Sequence, residues 1–435
     1  MTKTDLIIIG AGPGGYETAI EAAKAGLSVI LIEAEHLGGT CLNEGCIPTK
    51  SFAHHADLIS YNHETPNIAL IIKRKNEIVK QLAEGISSLI RTPGISLIKG
   101  NAYLKDEHCV RVGNDEFQAN NIILATGSTP KFLPIEGAHS AGVITSTDIL
   151  NIDSIPQRLC IIGGGVVGLE FASIFKKFGS EVTVVEFCKE ILSNFDKDVA
   201  KRLRLSLKKK GINILTDSGV KHIETNENKI TKVTYESKGR EYDINADVVL
   251  MAVGRTPRMD VLKDCTLDIT TNKRGIEVDQ NMQTSVPHIY AIGDVNGICQ
   301  LAHVASYQGR RALNHILGRT DAIRFDIIPS AVFTTPQIAS VGVREEDIKV
   351  SKPKIYKAFY GSNGRGLTMN AEEGFIKIIC DNDDRILGVH IMGEQASELI
   401  HEATILMNFG ATIKQLRDII HAHPTLSELY KAAIR

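Results

Sequence analysis

At 435 residues the chain has room for two to four domains of roughly 100–200 residues each. Lys and Arg total 49 against 51 Asp and Glu, so the formal charge is −2 and no basic surplus points to nucleic acid or an anionic membrane as partner. Apolar residues at 43% exclude a disordered chain, and no apolar run reaches the roughly 18 residues of a membrane span.

Met1-Thr-Lys-Thr-Asp5 leads directly into a strand-like run. That leaves no room for a signal or transit peptide, so a cytoplasmic location is expected. The run Leu6–Ile9 meets Gly10-Ala-Gly12-Pro-Gly-Gly15, a helical pattern continues to Ala25, and Ser28–Glu33 reads as a second strand. The same grammar returns at Leu159–Ile162, Gly163-Gly-Gly165-Val-Val-Gly168, a helical pattern to Phe178, and Glu181–Glu186. In both, the acid stands 18 residues past the third glycine, and the unit repeats at an offset of 153. Each is a dinucleotide fingerprint in its proper setting. The glycines allow a tight turn, close approach of a pyrophosphate and close helix–strand packing. The helix N-terminus attracts phosphate, and the terminal acid can bind ribose hydroxyls. Glu186 favours a free 2′-hydroxyl and repels a 2′-phosphate, so the second site is expected to take NAD rather than NADP. Two such sites in one chain suggest a tightly held flavin beside an exchangeable nicotinamide, with hydride passing between them.

Ile122–Gly127, Val248–Gly254 and Ile289–Asp294 are apolar runs ending at glycine, as strands of a parallel sheet buried on both faces do. After about residue 328 the pattern changes. Lys354–Tyr360, Gly374–Cys380 and Arg385–Met392 read as antiparallel strands, followed by amphipathic helices near Ala396–Phe409 and Ile413–Ile420. The expected fold class is α/β, with two Rossmann-like dinucleotide-binding domains and a C-terminal α+β domain. The expected division is residues 1–150 for the first nucleotide site, 151–272 for the second, 273–327 for a central return to the first, and 328–435 for an interface domain.

Of eight cysteines only Cys41 and Cys46 lie close together, which is not a secreted disulfide framework. Their segment, Gly38-Gly-Thr-Cys41-Leu-Asn-Glu-Gly-Cys46-Ile-Pro-Thr-Lys50, admits inert thiols, half of a metal site, or a redox disulfide. Zinc pairs sit closer together and need two further ligands, and no nearby Cys/His pair completes the set. In a regular helix, residues five apart lie about 8–9 Å from each other, beyond the roughly 7 Å a disulfide spans between Cα atoms. A bridge therefore needs a non-helical turn, which Gly45 permits. Lys50 and a helix N-terminus would both lower a thiol pKa.

Cys-Leu-Asn-x-Gly-Cys-Ile-Pro-Thr-Lys, the two fingerprints and a terminal His-x-His-Pro-Thr-Leu-Ser-Glu together resemble the flavin disulfide oxidoreductases, the class I pyridine nucleotide-disulfide family. The resemblance covers almost the whole chain and is strongest to the branch that oxidises protein-bound dihydrolipoamide. Residues 54–72 depart from it and are fewer than usual. It implies that Cys41 exchanges with substrate, that Cys46 stands against the flavin, and that Lys50 pairs with Glu170 beside the reactive flavin nitrogen. It assigns FAD to Gly10, Gly12, Gly15, Glu33, Thr40, Lys50, Ala102, Thr126, Gly127, Ser128, Asp294, Gln300, Leu301, Ala302 and His303. It assigns NAD to Gly163, Gly165, Val166, Val167, Gly168, Glu170, Glu186, Val220 and Gly254. It also implies a homodimer, served by the lipoyl domain of a 2-oxo acid dehydrogenase acyltransferase or of a glycine cleavage carrier protein. No metal is expected.

Pro424 biases His423 toward extended backbone just ahead of a helix. Taken alone, Thr425-x-x-Glu428 is a capping box and His423 a surface imidazole. Thiol–disulfide exchange, however, needs a proton acceptor poised near pH 7, which histidine supplies, and Glu428 can orient its far nitrogen. His421 competes, but the resemblance selects the residue before the proline. His303 reads as a packing and hydrogen-bonding residue, and the other six cysteines as structural. Two rivals remain: a sister reductase of glutathione-like disulfides or mercuric ion, and a flavin-binding sensor subunit without turnover.

Overall fold

The computed structural model describes residues 2–226, 229–349 and 353–435. Its helices are α1 (Pro13–Lys24), α2 (Gly39–Asn43), α3 (Cys46–Asn62), α4 (Ile68–Leu89), α5 (Val166–Lys177), α6 (Lys197–Lys209), α7 (Ala302–Ile316), α8 (Gly364–Thr368), α9 (Ala396–Asn408), α10 (Ile413–Asp418) and α11 (Glu428–Ala433). No described helix is long and apolar enough to cross a membrane.

The two glycine-rich units build two sheets on one plan. In the first, Thr2–Ile9 lies between Val29–Glu33 and Asp115–Leu124, all parallel. In the second, Arg158–Ile162 lies between Glu181–Val185 and Val248–Met251, again parallel. Alternation along each central strand feeds a core on either face. Leu6 and Ile8 enter one cluster while Ile7 and Ile9 enter another. Leu159 and Ile161 are divided from Cys160 and Ile162 in the same way. This two-sided burial is why both strands read as unbroken apolar runs. It also makes Cys160 a core residue, with burial pushing its thiol up to about 12. Cys109 and Cys380 are buried as well, whereas Cys188 is exposed.

The chain then returns to its starting sheet. Ile289–Ala291 pairs in parallel with Ile122–Leu124, and α7 packs along α1. There Gly309 leaves so little room that an added Cβ would meet Thr18 Oγ1. The apolar runs read as far as Gly127 and Gly254 leave their sheets at Leu124 and Met251, where the backbone turns over the strand ends. Periodicity gave no sign of the antiparallel ribbon Ser218–Asn226, Lys229–Ser237 and Arg240–Asn245, set between the two halves of the second unit. In the 54–72 region, α3 runs to Asn62. The chain reverses at His63 (φ 55°), and Asn67 caps α4 by accepting from Leu70 N–H.

The last part is a five-stranded antiparallel sheet in the order Ser330–Val332, Gln337–Gly342, Ile386–Gly393, Phe375–Cys380 and Lys354–Phe359. It is tied to the second unit by a buried charge. Lys377 (1% exposed) places Nζ 2.9 Å from both oxygens of Asp196 (0% exposed), the N-cap of α6. Burial alone would raise the Asp196 carboxyl. The Lys377 hydrogen bonds, the nearby His390 and the Glu345 N–H outweigh it and hold the group below its usual range. Asp196 therefore contributes stability above the usual aspartate range that is lost as pH falls through its depressed pKa. Asp196→Ala removes the one fully buried partner of Lys377, leaving its ammonium to the half-exposed Glu345 and Asp198 carboxylates, and is expected to cost ~1.5–3 kcal/mol in denaturant unfolding. Adding Lys377→Met should recover most of that loss. A double variant no more stable than the single one would show that the pair does not clamp the two units together.

Candidate active site

The local sequence dictates how the redox segment folds. After α2 the backbone leaves helical geometry at Glu44 (φ −139°) and Gly45 (φ −135°, ψ −107°), then re-enters it at Cys46. The break draws the Cα atoms of Cys41 and Cys46 to 4.7 Å, and the two are disulfide-bonded. Cys46 is the first residue of the 17-residue α3. A thiolate released there meets the positive end of the helix dipole. Gly39 lets the segment sit directly on the first fingerprint, since a Cβ there would come within 2.8 Å of Gly12 Cα.

Around this turn lies a cavity of ≈ 420 Å³. Gly10, Gly12, Gly15, Glu33, Thr40, Cys41, Cys46, Lys50, Ala102, Thr126, Gly127, Ser128, Asp294, Gln300, Leu301 and Ala302 all line it, as do Val166, Val167 and Glu170. The initial residues of α1, α3, α5 and α7 converge on it, and none of the four helices has a side-chain cap. Their free N–H groups make a strongly anion-attracting wall. The fingerprint geometry fits a diphosphate in detail. At Gly15 a Cβ would strike Gly10 O at 1.9 Å, which allows the close helix–strand contact. At Gly12 it would meet only Gly39 Cα at 4.0 Å and would otherwise stand in the cavity. These residues fit FAD.

The two terminal acids are held alike. Glu33 accepts from Ala11 N–H (2.7 Å) and Glu35 N–H (2.8 Å). Glu186 accepts from Gly164 N–H (2.5 Å) and Cys188 N–H (2.6 Å). Gly163, Gly165, Glu186, Val220 and Gly254 lie outside the cavity, at least partly exposed on the second unit, and Gly168 is buried against the Gly163 carbonyl. Val166 and Val167 are shared between the second fingerprint and the cavity wall, which brings the two sites together at the start of α5.

Lys50 Nζ lies 3.0 and 2.9 Å from the oxygens of Glu170, and 4.5 Å from the centroid of the Phe333 ring. Glu170 is buried on α5 and also accepts from Phe333 N–H at 2.9 Å. His303 is not part of the cavity wall. Its ring Nε2 is directed to the Pro329 carbonyl at 2.9 Å, the hydrogen-bonding role expected of it, while its neighbours Gln300, Leu301 and Ala302 line the cavity.

Sequence reasoning missed Arg255. Its Nε donates to Ser128 Oγ (2.7 Å) and its Nη2 to Ser128 O (2.7 Å), while Ser128 Oγ donates to Asp294 at 2.5 Å. Burial works against the Arg255 charge, and the Asp294 and Glu44 carboxylates offset it. A signal was present: Gly254-Arg-Thr-Pro257 echoes Gly127-Ser-Thr-Pro130, and these two strings pair antiparallel.

His423 and Glu428 are together but apart from the disulfide. His423 Nδ1 is 3.1 Å from each Glu428 oxygen, and neither residue lines the cavity of its own chain. Glu428 also accepts from Thr425 N–H, the larger of two causes, with His423, that hold its carboxyl below the usual range. The expected capping box does not form, since α11 begins at Glu428 itself and the Thr425 hydroxyl donates to Ala422 O. One carboxylate thus serves the Thr425 N–H and the imidazole together. The His423 side chain is 78% exposed, whereas His421 is buried and bound to Glu402 at 2.7 Å. His421 is therefore already committed, and His423 is free to meet something else. Among the described residues no group of three His, Cys, Asp or Glu is placed to hold a metal.

Residues 4–309 match the family profile described as pyridine nucleotide-disulphide oxidoreductase, and residues 328–434 match its dimerisation domain. The chain is similar to the dihydrolipoyl dehydrogenase of Geobacillus stearothermophilus, at 39% identity over 98% of this chain and 94% of that one. It is 37% identical to the enzyme of that name from Staphylococcus aureus, over 98% and 95% of the two chains. Among solved structures it is similar to the HOCl-induced flavoprotein disulfide reductase RclA from Escherichia coli. The TM-score is 0.89 at 32% identity, covering 99% of each chain, and a Cu(II) complex of that protein gives 0.90.

The cavity analysis has a direct test. Gly12→Val should fold, because backbone φ −68° suits any residue, yet lose bound flavin because the side chain fills the phosphate end. Full yellow absorbance in a folded Gly12→Val protein would contradict this placement.

Proposed function

The chain belongs to the pyridine nucleotide-disulphide oxidoreductase family and is an oxidoreductase, using FAD and a pyridine nucleotide; from that premise we propose that it oxidises protein-bound dihydrolipoamide and reduces NAD. The carrying observation is the Cys41–Cys46 bridge at the mouth of a cavity shared with the Lys50–Glu170 pair and the start of α5.

In this reading a second copy of the chain supplies His423, whose exposed ring and separation from its own disulfide suit a base working across a dimer interface. Nε2 takes a proton from one substrate thiol while Glu428, kept ionised, holds Nδ1. The substrate thiolate attacks Cys41 Sγ, the S–S bond breaks, and Cys46 leaves as a thiolate at the N-terminus of α3. The second substrate sulfur then attacks the first, closing the lipoyl ring and releasing Cys41. The substrate has lost two electrons and the protein now holds a dithiol. FAD, held by the first fingerprint and Asp294 at this cavity, would supply the two-electron carrier between the Cys41–Cys46 dithiol and NAD. Lys50 stands at the cavity wall, oriented by Glu170 and with its ammonium over the Phe333 ring. Glu186 holds the ribose of the nicotinamide cofactor. The partner is the lipoyl domain of an acyltransferase or of a glycine cleavage carrier.

The likeness to RclA supports a second reading, a sister reductase of another disulfide or of a metal ion. Glu186, which disfavours a 2′-phosphate, favours the first over an NADP-linked disulfide reductase.

NADH-linked turnover of lipoamide, glutathione disulfide and mercuric ion, measured side by side, separates the readings. Lipoamide should be preferred by orders of magnitude, and preference for either other acceptor would overturn the proposal. His423→Gln should cut lipoamide turnover about 10²-fold or more, the usual contribution of a general base. NADH oxidation by an artificial acceptor should survive; equal loss of both would reduce His423 to a structural role.

A further inference from the structure

The second nucleotide unit presents an aromatic side chain that the fold does not use. Phe187, next after Glu186, is 80% exposed. A single exposed apolar residue is ordinary on a protein surface. The place of this one is not.

The 153-residue offset between the two units carries Ala34 onto Phe187. Both follow an acid whose carboxylate accepts one N–H from its fingerprint turn and one from two residues farther on. The two turns are therefore built alike, and Phe187 stands to the second fingerprint as Ala34 stands to the first. Ala34 lines the cavity of the first unit. Phe187 lies instead beside Gly219, where an added Cβ would stand 3.4 Å from its ring. Glycine at 219 thus lets the ring lie close to the backbone, with most of its surface open to solvent.

From this we infer that Phe187 stacks on the adenine ring of the pyridine nucleotide. The acid beside it is suited to the ribose, and the base attached to that ribose falls next to position 187. The nicotinamide end must reach the other way, toward Val166, Val167 and Glu170 at the cavity wall. A flat apolar face matches a purine and reads nothing of the 2′-position. Phe187 therefore adds affinity while Glu186 sets the choice between NAD and NADP. The inference rests on the reading that the second fingerprint binds NAD.

The chain contains no tryptophan, so Phe187→Trp in the flavin-loaded protein creates a single indole reporter. ADP-ribose should change its emission, and nicotinamide mononucleotide should not. By calorimetry Phe187→Ala should weaken ADP-ribose binding about fivefold or more, as expected for loss of an aromatic–base stack. Phe187→Tyr should restore it, and flavin absorbance should be the same in all three variants. An unchanged dissociation constant in Phe187→Ala, or a silent indole while the unsubstituted protein binds ADP-ribose, overturns the stacking contact alone. Failure of the unsubstituted protein to bind ADP-ribose overturns the NAD reading and this inference with it.

Discussion

One buried carboxylate joins the three parts of this molecule. Glu170 stands on α5 of the second unit, takes the ammonium of Lys50 from the helix that carries the disulfide, and accepts the backbone N–H of Phe333 from the C-terminal part. At 4% exposure its carboxylate has no access to bulk water, and these two partners supply the hydrogen bonds it needs. The same contact places a cation at the cavity wall within a helical turn of Cys46. Cohesion and chemistry therefore rest on one interaction.

The second organising feature is the repeated strand–turn–helix unit. Geometry is conserved between the copies down to single hydrogen bonds on Glu33 and Glu186. What differs is what closes over each: the redox turn and α7 enclose the first site, while the second stays open on its surface. An enclosed site suits a cofactor that remains bound, and an open one suits a cofactor that must leave each cycle. In the proposed reading, hydride passes between the two at the shared stretch Val166–Val167.

Most of this plan was legible in the residues because it depends on constraints with few solutions. Only glycine fits at positions 10 and 15, where a Cβ would collide with backbone, and strands buried on both faces must be apolar throughout. The pairing of Cys41 with Cys46 was not derivable from spacing, since helical geometry argued against it and only the break at Gly45 resolves the conflict. The Lys50–Glu170 contact spans 120 residues, so resemblance rather than local pattern pointed to it. Arg255 and the Asp196–Lys377 pair escaped notice because a buried charge and a surface charge look alike until the fold brings a partner. His303 reads as a packing and hydrogen-bonding residue, and its ring does meet the Pro329 carbonyl.

The central claim is that the disulfide communicates with a bound flavin through Cys46 and not through Cys41. Cys41→Ser tests it most directly, by absorbance of the purified flavin-loaded protein at neutral pH. The account expects a long-wavelength charge-transfer band, because the Cys46 thiolate is left unpaired at the N-terminus of α3 against the flavin. A flavin-loaded Cys41→Ser protein without that band, with the band appearing in Cys46→Ser instead, would contradict it.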